Sequence, residues 1–427
     1  MIRIVKAGGA AVERFCARAA FPAEAEAAAL EALAEIRKDG DAAVRRLVAK
    51  FEGFKGKDLR VKADFAALER KIPLRIKAAV REAHRRVERF AKASLRKDWS
   101  MNTPGGGREG EFFTPMDRVG VYVPGGTAPL ASTSIHTVTL AKTAGVEEIV
   151  ACTPAGKTGE VNEVLLYALV LAGATEIYRV GGIQAIGMMA YGTATCRKVR
   201  KIAGPGNAYV TAAKRLVYGH VAIDQVAGPS EIAVLADGSV PAAWVAADLL
   251  SQAEHGSGWE KSLCVCTGDA YAKEVKREIL RQTETLSRRE MVERVIARDG
   301  ILIALARDMD EGMDAVNRFA PEHFEIMAKD ALRAMRGVRH AGAVFAGAWT
   351  PESAGDFVAG PSHVLPTGGA AAMFNGLTPD DFRLRHSFAA FTKKDLAATR
   401  KAIETFAEVE GLDAHGRAAS IRFAEGK

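Results

Sequence analysis

The chain has 427 residues, a formal net charge of +7, and 48% hydrophobic against 26% charged residues. That length exceeds one ordinary core, and the composition is that of a globular protein of two or more domains. No uninterrupted apolar run is long enough to span a bilayer, and Met1 to Lys6 lacks the apolar core of a signal peptide, so a cytoplasmic protein with no membrane role is expected.

Alanine and leucine recur at helical spacing from Ala23 to Lys50, with a break at Gly40-Asp41 where Gly can end one helix and Asp cap the next. Helical pattern continues to about Lys97. The densest basic stretch, Lys71 to Lys97, includes Arg81, Arg85, Arg86 and Arg89, with Ile76, Val80 and Val87 between them at helical spacing. It reads as a helix with a solvated basic face. No zinc-finger, recognition-helix or aromatic single-strand signature accompanies it, so an anionic small ligand is sufficient reason for the charge and no nucleic-acid partner is expected. Asn102 to Gly110 reads as a polar, Gly-rich loop.

After Arg118 the texture alternates. Val119 to Val123 predicts a strand ending at Pro124-Gly125-Gly126, followed by a helix over Ile135 to Thr143. Strand Glu148 to Cys152, a helix from Val161 to Ala172 and strand Glu176 to Val180 come next. That last strand runs into Gly181-Gly182-Ile183-Gln184, and a further turn stands at Gly204-Pro205-Gly206-Asn207. A second series has strands at Glu231 to Leu235, Ser262 to Cys266, Ile301 to Leu305 and Ala343 to Phe345, and a helix from Lys394 to the Glu410 region closes the chain. Repeated strand–turn–helix units imply parallel sheets covered on both faces. The expected fold is α/β, with two doubly wound (Rossmann-like) domains and small helical elements at both termini. The expected boundaries are 1–22 for the N-terminal helical element, 23–117 with 231–376 for a first α/β domain, 118–230 for a second, and 377–427 for a helical tail. The five cysteines (Cys16, Cys152, Cys196, Cys264, Cys266) are odd in number and form no C-x-x-C, so reduced, buried thiols are expected.

Four polar clusters carry chemistry. In Pro351 to Thr367, Asp356 and His363 stand in a Gly- and Pro-broken stretch that suits holding a metal or moving a proton; Glu352 adds a third ionisable group. Gln252 and His255 project from the last turn of a helix spanning Pro241 to His255, where an amide oxygen and an imidazole can share a metal or can simply be a polar helix end. His415 follows Glu410 in a similar setting. Two imidazoles, one carboxylate and one amide would make an N/O site suited to Zn²⁺ rather than Ca²⁺, if they converge. Glu322-His323 after Pro321 offers two bases of different strength, or a surface acid beside a capping imidazole. No G-x-G-x-x-G lies between a strand and a helix. Gly turns instead stand near Tyr122, Gln184 and Asn207, where strands feed helices, and they read equally as ligand crevice or plain turns. Ser230, in Gly228-Pro229-Ser230-Glu231, can touch a ligand or cap a turn.

In order along the chain stand Y-V-P-G-G at Tyr122, G-G-I-Q-A-I at Gly181, G-P-G-N-A at Gly204, A-G-P-S-E at Ala227, D-L-L-S-Q-A-E-H-G ending at Gly256, and P-E-H at Pro321. P-E-S-A-G-D with H-V-L-P-T and E-G-L-D-A-H near the end complete the set, which over nearly the whole chain resembles the histidinol dehydrogenase family. The resemblance implies a zinc- and NAD-dependent enzyme that oxidises L-histidinol through L-histidinal to L-histidine, the last step of histidine biosynthesis. It further implies one Zn²⁺ per subunit, held by Gln252, His255, Asp356 and His415, with Glu322 and His323 handling protons. Substrate would be bound by Ser230, Gln252, His255, His323, Asp356, His363, Glu410 and His415, and NAD by Tyr122, Gln184 and Asn207. A domain-swapped homodimer is implied, in which Glu410 and His415 act in the other subunit's site. Ser362 and Asp413 depart from residues often found at those places, but neither is a ligand or a base. Two other readings share parts of this pattern: a related dehydrogenase acting on another small polar alcohol, and a basic nucleic-acid-binding protein on an old enzyme fold. Glu410 and the E-G-L-D-A-H tail argue against the first, and the presence of Glu322, His323 and the metal-ligand residues against the second; a purely structural role would leave the clustered His and acids unexplained.

Overall fold

A computed structural model describes residues 1–18, 21–125 and 129–424. The chain divides into two compact units, Met1–Ser94 with Asp117–Phe382, and Leu95–Met116 with Arg383–Lys427. Among the described residues, the first contains two six-stranded sheets. In one, all strands are parallel, in the order Arg3–Lys6, Ile301–Leu305, Lys261–Cys266, Glu231–Ala236, His323–Met327, Ala343–Ala346. The central strands are buried along their whole length, as parallel strands with helices on both faces must be. Alternation sends Val234, Cys264, Cys266 and Ile303 into one apolar layer and Leu235, Val265, Leu302 and Phe324 into the other. The thiols of Cys152, Cys196, Cys264 and Cys266 are free and buried, and Cys16 is free and partly exposed.

The N-terminal region differs from its helical expectation. Arg3–Lys6 is the edge strand of this sheet, with Ile4 opposite Ile303, and only then comes helix Ala10–Cys16. The β-branched run from Ile2 to Val5 prefers the pleated surface to a helix.

The second sheet runs Arg60–Val61, Glu176–Tyr178, Glu148–Cys152, Arg118–Tyr122, Lys201–Ala203, Ala222–Ile223, parallel except for the first strand. Strand order reverses between Arg118–Tyr122 and Lys201–Ala203, which is the switch point of a doubly wound sheet. Helices Ala23–Asp39 and Asp41–Phe51 bury Ala29, Leu33, Ile36, Val44 and Val48 in the core of this sheet, among Val150, Ile186 and Met189. Residues 23–94 therefore pack with the 118–230 region, not with the first sheet as the expected boundaries had it. Helical spacing identifies an apolar stripe but not which layer it covers.

At the carboxyl edge of this sheet Gly204 has φ +119°, and a Cβ there would lie 2.1 Å from the Tyr122 carbonyl oxygen. Its N–H donates to Asp224 Oδ2 at 2.7 Å and its carbonyl accepts from Lys214 Nζ at 2.9 Å. Lys214 and Asp224 are also ion-paired, with side chains 2% and 3% exposed. Lys214→Met should cost about 3–5 kcal/mol in denaturant unfolding, because it strands a buried carboxylate. A loss below about 1 kcal/mol would show that the pair does not hold this turn.

The second unit holds an antiparallel sheet ordered Arg383–Ala390, Arg108–Pro115, Trp99–Asn102, then helices Lys393–Glu410 and Asp413–Ser420. The tail is thus not all helical, and the Gly-rich stretch 102–110 is the hairpin between two strands. Its glycines are required by contact. Asp395 closes the capping box with Thr392 and also accepts Gly105 N–H at 2.6 Å and Gly107 N–H at 3.0 Å, leaving no room for a Cβ at either.

Candidate active site

Because the first sheet is parallel, the first residues of its strands share one edge. His323 begins its strand there, one residue after Glu322, and Glu231 begins the neighbouring one. His323 is 3% exposed. Its Nδ1 lies 3.0 Å from the Glu231 carbonyl oxygen, so Nδ1 carries the hydrogen and donates, and Nε2 is left with its lone pair. Nε2 has no hydrogen-bond partner among the described residues and lies 3.7 Å from Glu352 Oε1 and 3.8 Å from Asp356 Oδ1. Burial pushes the His323 imidazole below its ordinary range, with Glu352 opposing. Glu322 is buried beside it; its Oε2 accepts the Glu231 N–H at 3.0 Å, and burial holds its carboxyl well above the usual carboxylate range.

Asp356 does not sit in a loop. Residues Glu352–Phe357 form a short helix after Pro351, which places Glu352 and Asp356 on one face at i, i+4. His323, Glu352 and Asp356 form a group whose ligand atoms all lie within 4.8 Å of one another. Burial, then the Glu352 charge, push the Asp356 carboxyl up to about 8. Burial also works to raise Glu352, but the charge that His323 carries when protonated and the Ser251 hydroxyl, which donates to Glu352 Oε2 at 2.8 Å, oppose it and set that carboxyl below its ordinary value.

Gln252 stands in the last turn of helix Ala242–Ala253, fully buried, and among the described residues neither its Oε1 nor its Nε2 has a hydrogen-bond partner. Leaving such groups unpaired costs about 1–3 kcal/mol each. With Glu352 Oε1 and His323 Nε2, also unpartnered, they mark a place built for something further. The His255 side chain follows directly, with Nδ1 3.3 Å from the Gln252 carbonyl oxygen and Nε2 left over; it is close enough to depress the His323 and His363 imidazoles. An amide oxygen, imidazole nitrogens and carboxylates in one place fit a borderline divalent cation.

His363 Nδ1 lies 2.9 Å from the Asp356 carbonyl oxygen and its Nε2 3.1 Å from Thr133 Oγ1. Its ring stacks on His136, centroids 4.4 Å apart, and burial and that neighbour keep it neutral. A cavity of about 300 Å³ opens beside His323 and His363, bordered also by Phe345, Leu365 and Phe90. Ser230 is half-buried just before Glu231, its carbonyl accepting Lys261 N–H at 3.2 Å.

Sequence reasoning missed two acids. Glu325 lies two residues beyond His323 on the same strand face, accepts the backbone N–H of Glu352, and is lifted well above its ordinary range by burial and by Asp248. Asp248, four residues before Gln252, is itself pushed up by burial to about 6. Alternation along His323–Met327 and helical spacing before Gln252 would have found them.

The Gly turns gather at the carboxyl edge of the second sheet. Tyr122 Oη accepts the Gly182 N–H at 3.1 Å. Gln184 Nε2 donates to Glu52 Oε1 at 2.8 Å, as does Gly181 N–H at 2.9 Å. Asn207 caps helix Ala208–Val217 through its Oδ1. Each of the three already has a structural task, and part of the first turn, Gly126, lies outside the described residues. Glu410 and His415 belong to the second unit: Glu410 ends helix Lys393–Glu410, Gly411 turns the chain at φ +68°, and His415 follows on the next helix, both side chains exposed.

The model of the family described as histidinol dehydrogenase matches residues 18–423. The chain is 41% identical over 430 residues to a histidinol dehydrogenase of a Synechococcus sp., covering 99% of each. It is 42% identical over 409 residues to one of Geobacillus kaustophilus, covering 95% of each. Its structure is similar to the crystal structure of histidinol dehydrogenase from Elizabethkingia anophelis, with TM-score 0.94, 33% identity, and 99% and 98% of the two chains covered. The mixed α/β architecture with parallel sheets is that of the relative. The chain therefore belongs to the histidinol dehydrogenase family and is a dehydrogenase.

Proposed function

We propose that the protein oxidises L-histidinol through the aldehyde to L-histidine with two NAD⁺, as a zinc enzyme closing histidine biosynthesis in the cytoplasm. The observation that carries the metal reading is the cluster of His323, Glu352 and Asp356 ligand atoms, together with a buried Gln252 carboxamide that has no hydrogen-bond partner among the described residues. Gln252, His255 and Asp356 would hold Zn²⁺ with His415 from a second copy of the chain. The exposed His415 and Glu410 on their helical hairpin are available for such an exchange. When bound, zinc would supply a Lewis-acidic anchor for the substrate imidazole and amine, and NAD⁺ the hydride acceptor. His323, kept neutral by burial with its Nε2 lone pair free, accepts the alcohol proton. Glu322, with a carboxyl raised by burial, takes the proton from the water that adds to the aldehyde. Ser230, His363 and Glu410 would contact substrate. Tyr122, Gln184 and Asn207 would border the dinucleotide at the second sheet's switch point, where such ligands bind. That no described helix is long and apolar enough to cross a membrane agrees with a substrate met in water.

Purified protein given histidinol and NAD⁺ should form two NADH per histidinol, lose that activity on chelation and regain it with zinc. No NADH from folded, zinc-loaded protein would sink the reading and point to another small alcohol.

A further inference from the structure

Glu231 touches both members of the Glu322–His323 pair through its backbone alone. Its N–H donates to Glu322 Oε2 and its C=O accepts from His323 Nδ1, each at 3.0 Å. On the side facing the His323 strand, the ladder begins only at Ile232. The Glu231 peptide is therefore held on that side by side chains. Its own carboxylate, 4% exposed, is fixed from two directions. Arg18 pairs with it: a terminal nitrogen donates to Oε2 at 3.2 Å and Nε lies 3.0 Å from Oε1 without hydrogen-bond geometry, while the Gly368 N–H donates to Oε2 at 3.1 Å. Arg18 is itself immobilised. It donates to the Phe319 carbonyl at 2.6 Å and the Cys16 carbonyl at 3.1 Å, and lies 4.4 Å over the Phe319 ring.

We propose that the Arg18–Glu231 ion pair is the positioning device of the proton-handling pair. By fixing the Glu231 peptide it aims the Glu322 carboxylate and holds His323 as the Nδ1–H tautomer, with the Nε2 lone pair toward Asp356. This rests on reading Glu322 and His323 as the proton-handling groups. The planar guanidinium spreads its donors over two terminal nitrogens and so reaches a carboxylate and two carbonyls at once, where an ammonium offers its three donors from a single point. The competing account is a buried pair that only stabilises the strand end.

Arg18→Met separates the two. Turnover should fall by roughly 10²-fold, the scale of a small misplacement remote from the chemistry. KM for histidinol and zinc content should stay within about twofold of wild type, because no substrate or metal contact is removed. Nitrogen-15 NMR of the His323 ring, assigned with His323→Asn, should move from the Nδ1–H signature to a tautomer mixture, and Arg18→Lys should restore turnover only in part. An unchanged His323 spectrum and unchanged turnover in folded Arg18→Met would overturn the proposal. Should Arg18→Met not fold, the double variant Arg18→Met with Glu231→Leu replaces the pair by apolar groups and carries the same test. The wild-type ring signature there would overturn it equally. The spectrum needs no turnover, so a wild-type protein inert toward histidinol would defeat the functional reading while leaving the tautomer result standing.

Discussion

Glu322→Gln should lower turnover on histidinol by roughly 10²–10⁴-fold, the usual contribution of one positioned acid–base group. The amide keeps the shape and can still accept the Glu231 N–H, so the variant should fold and keep the proposed metal site. What it loses is a proton acceptor. Burial holds the Glu322 carboxyl well above its ordinary range, and it works as a base only when ionised. Rate should therefore rise with pH through that raised pKa and level above it, and the variant should lack this ascending limb. Stability carries the matching sign. Between the ordinary carboxylate pKa and the raised one, the folded protein keeps a proton that the unfolded chain has shed. The wild type loses stability as pH rises across that window, and Glu322→Gln should remove the share due to this residue. Steady-state rates and denaturant unfolding at several pH values measure both; a variant with wild-type turnover would remove Glu322 from the mechanism.

Gln252→Leu should move stability and metal binding in opposite directions. The carboxamide is fully buried and both its polar atoms lack hydrogen-bond partners among the described residues. An apolar side chain of similar size removes an unsatisfied group worth about 1–3 kcal/mol, so the chelated variant should melt above the chelated wild type. The same change deletes a proposed zinc ligand. Affinity for zinc should fall by more than the roughly 10–100-fold that outer-sphere changes cost, and activity with it. Thermal melts with chelator and with zinc, beside metal analysis, read the two effects. A variant that melts lower without metal and still retains zinc would contradict this account of the orphaned amide.

The strands were legible because they are buried on both faces. Glu148–Cys152 and Ile301–Leu305 match their expected limits to the residue, and most others fall within two. Partners were not legible. Nothing in the stripe of Leu33, Ile36, Val44 and Val48 says which sheet it covers, and Ile2 to Val5 is too short to announce a strand against the Ala-rich helices that follow it. Glycine misled at two places for one reason, that it marks close approach as readily as irregularity. In 102–110 it admits Asp395 between two strands, and Gly355 sits inside the helix carrying Asp356, against the Phe345 ring. At the site, His323, Glu322, Asp356 and Gln252 could be named from residue type. Glu352 could be named as a third ionisable group, but the short helix is needed to set it on one face with Asp356; Glu325 becomes visible only when alternation is followed within its strand, and Arg18 only when a contact spanning more than two hundred residues is seen.

The two sheets present opposite edges to their candidate ligands, and this fixes the sign of charge each can hold. Helices in such folds run antiparallel to the strands. Those that start at the carboxyl edge of the second sheet, Gly182–Tyr191 and Ala208–Val217, bring the positive ends of their peptide dipoles there. Helix Ala242–Ala253 delivers its negative end to the amino edge of the first sheet, beside Gln252 and His255. One architecture used twice thus offers an anion-seeking rim and a cation-seeking rim, before any ionisable side chain is counted.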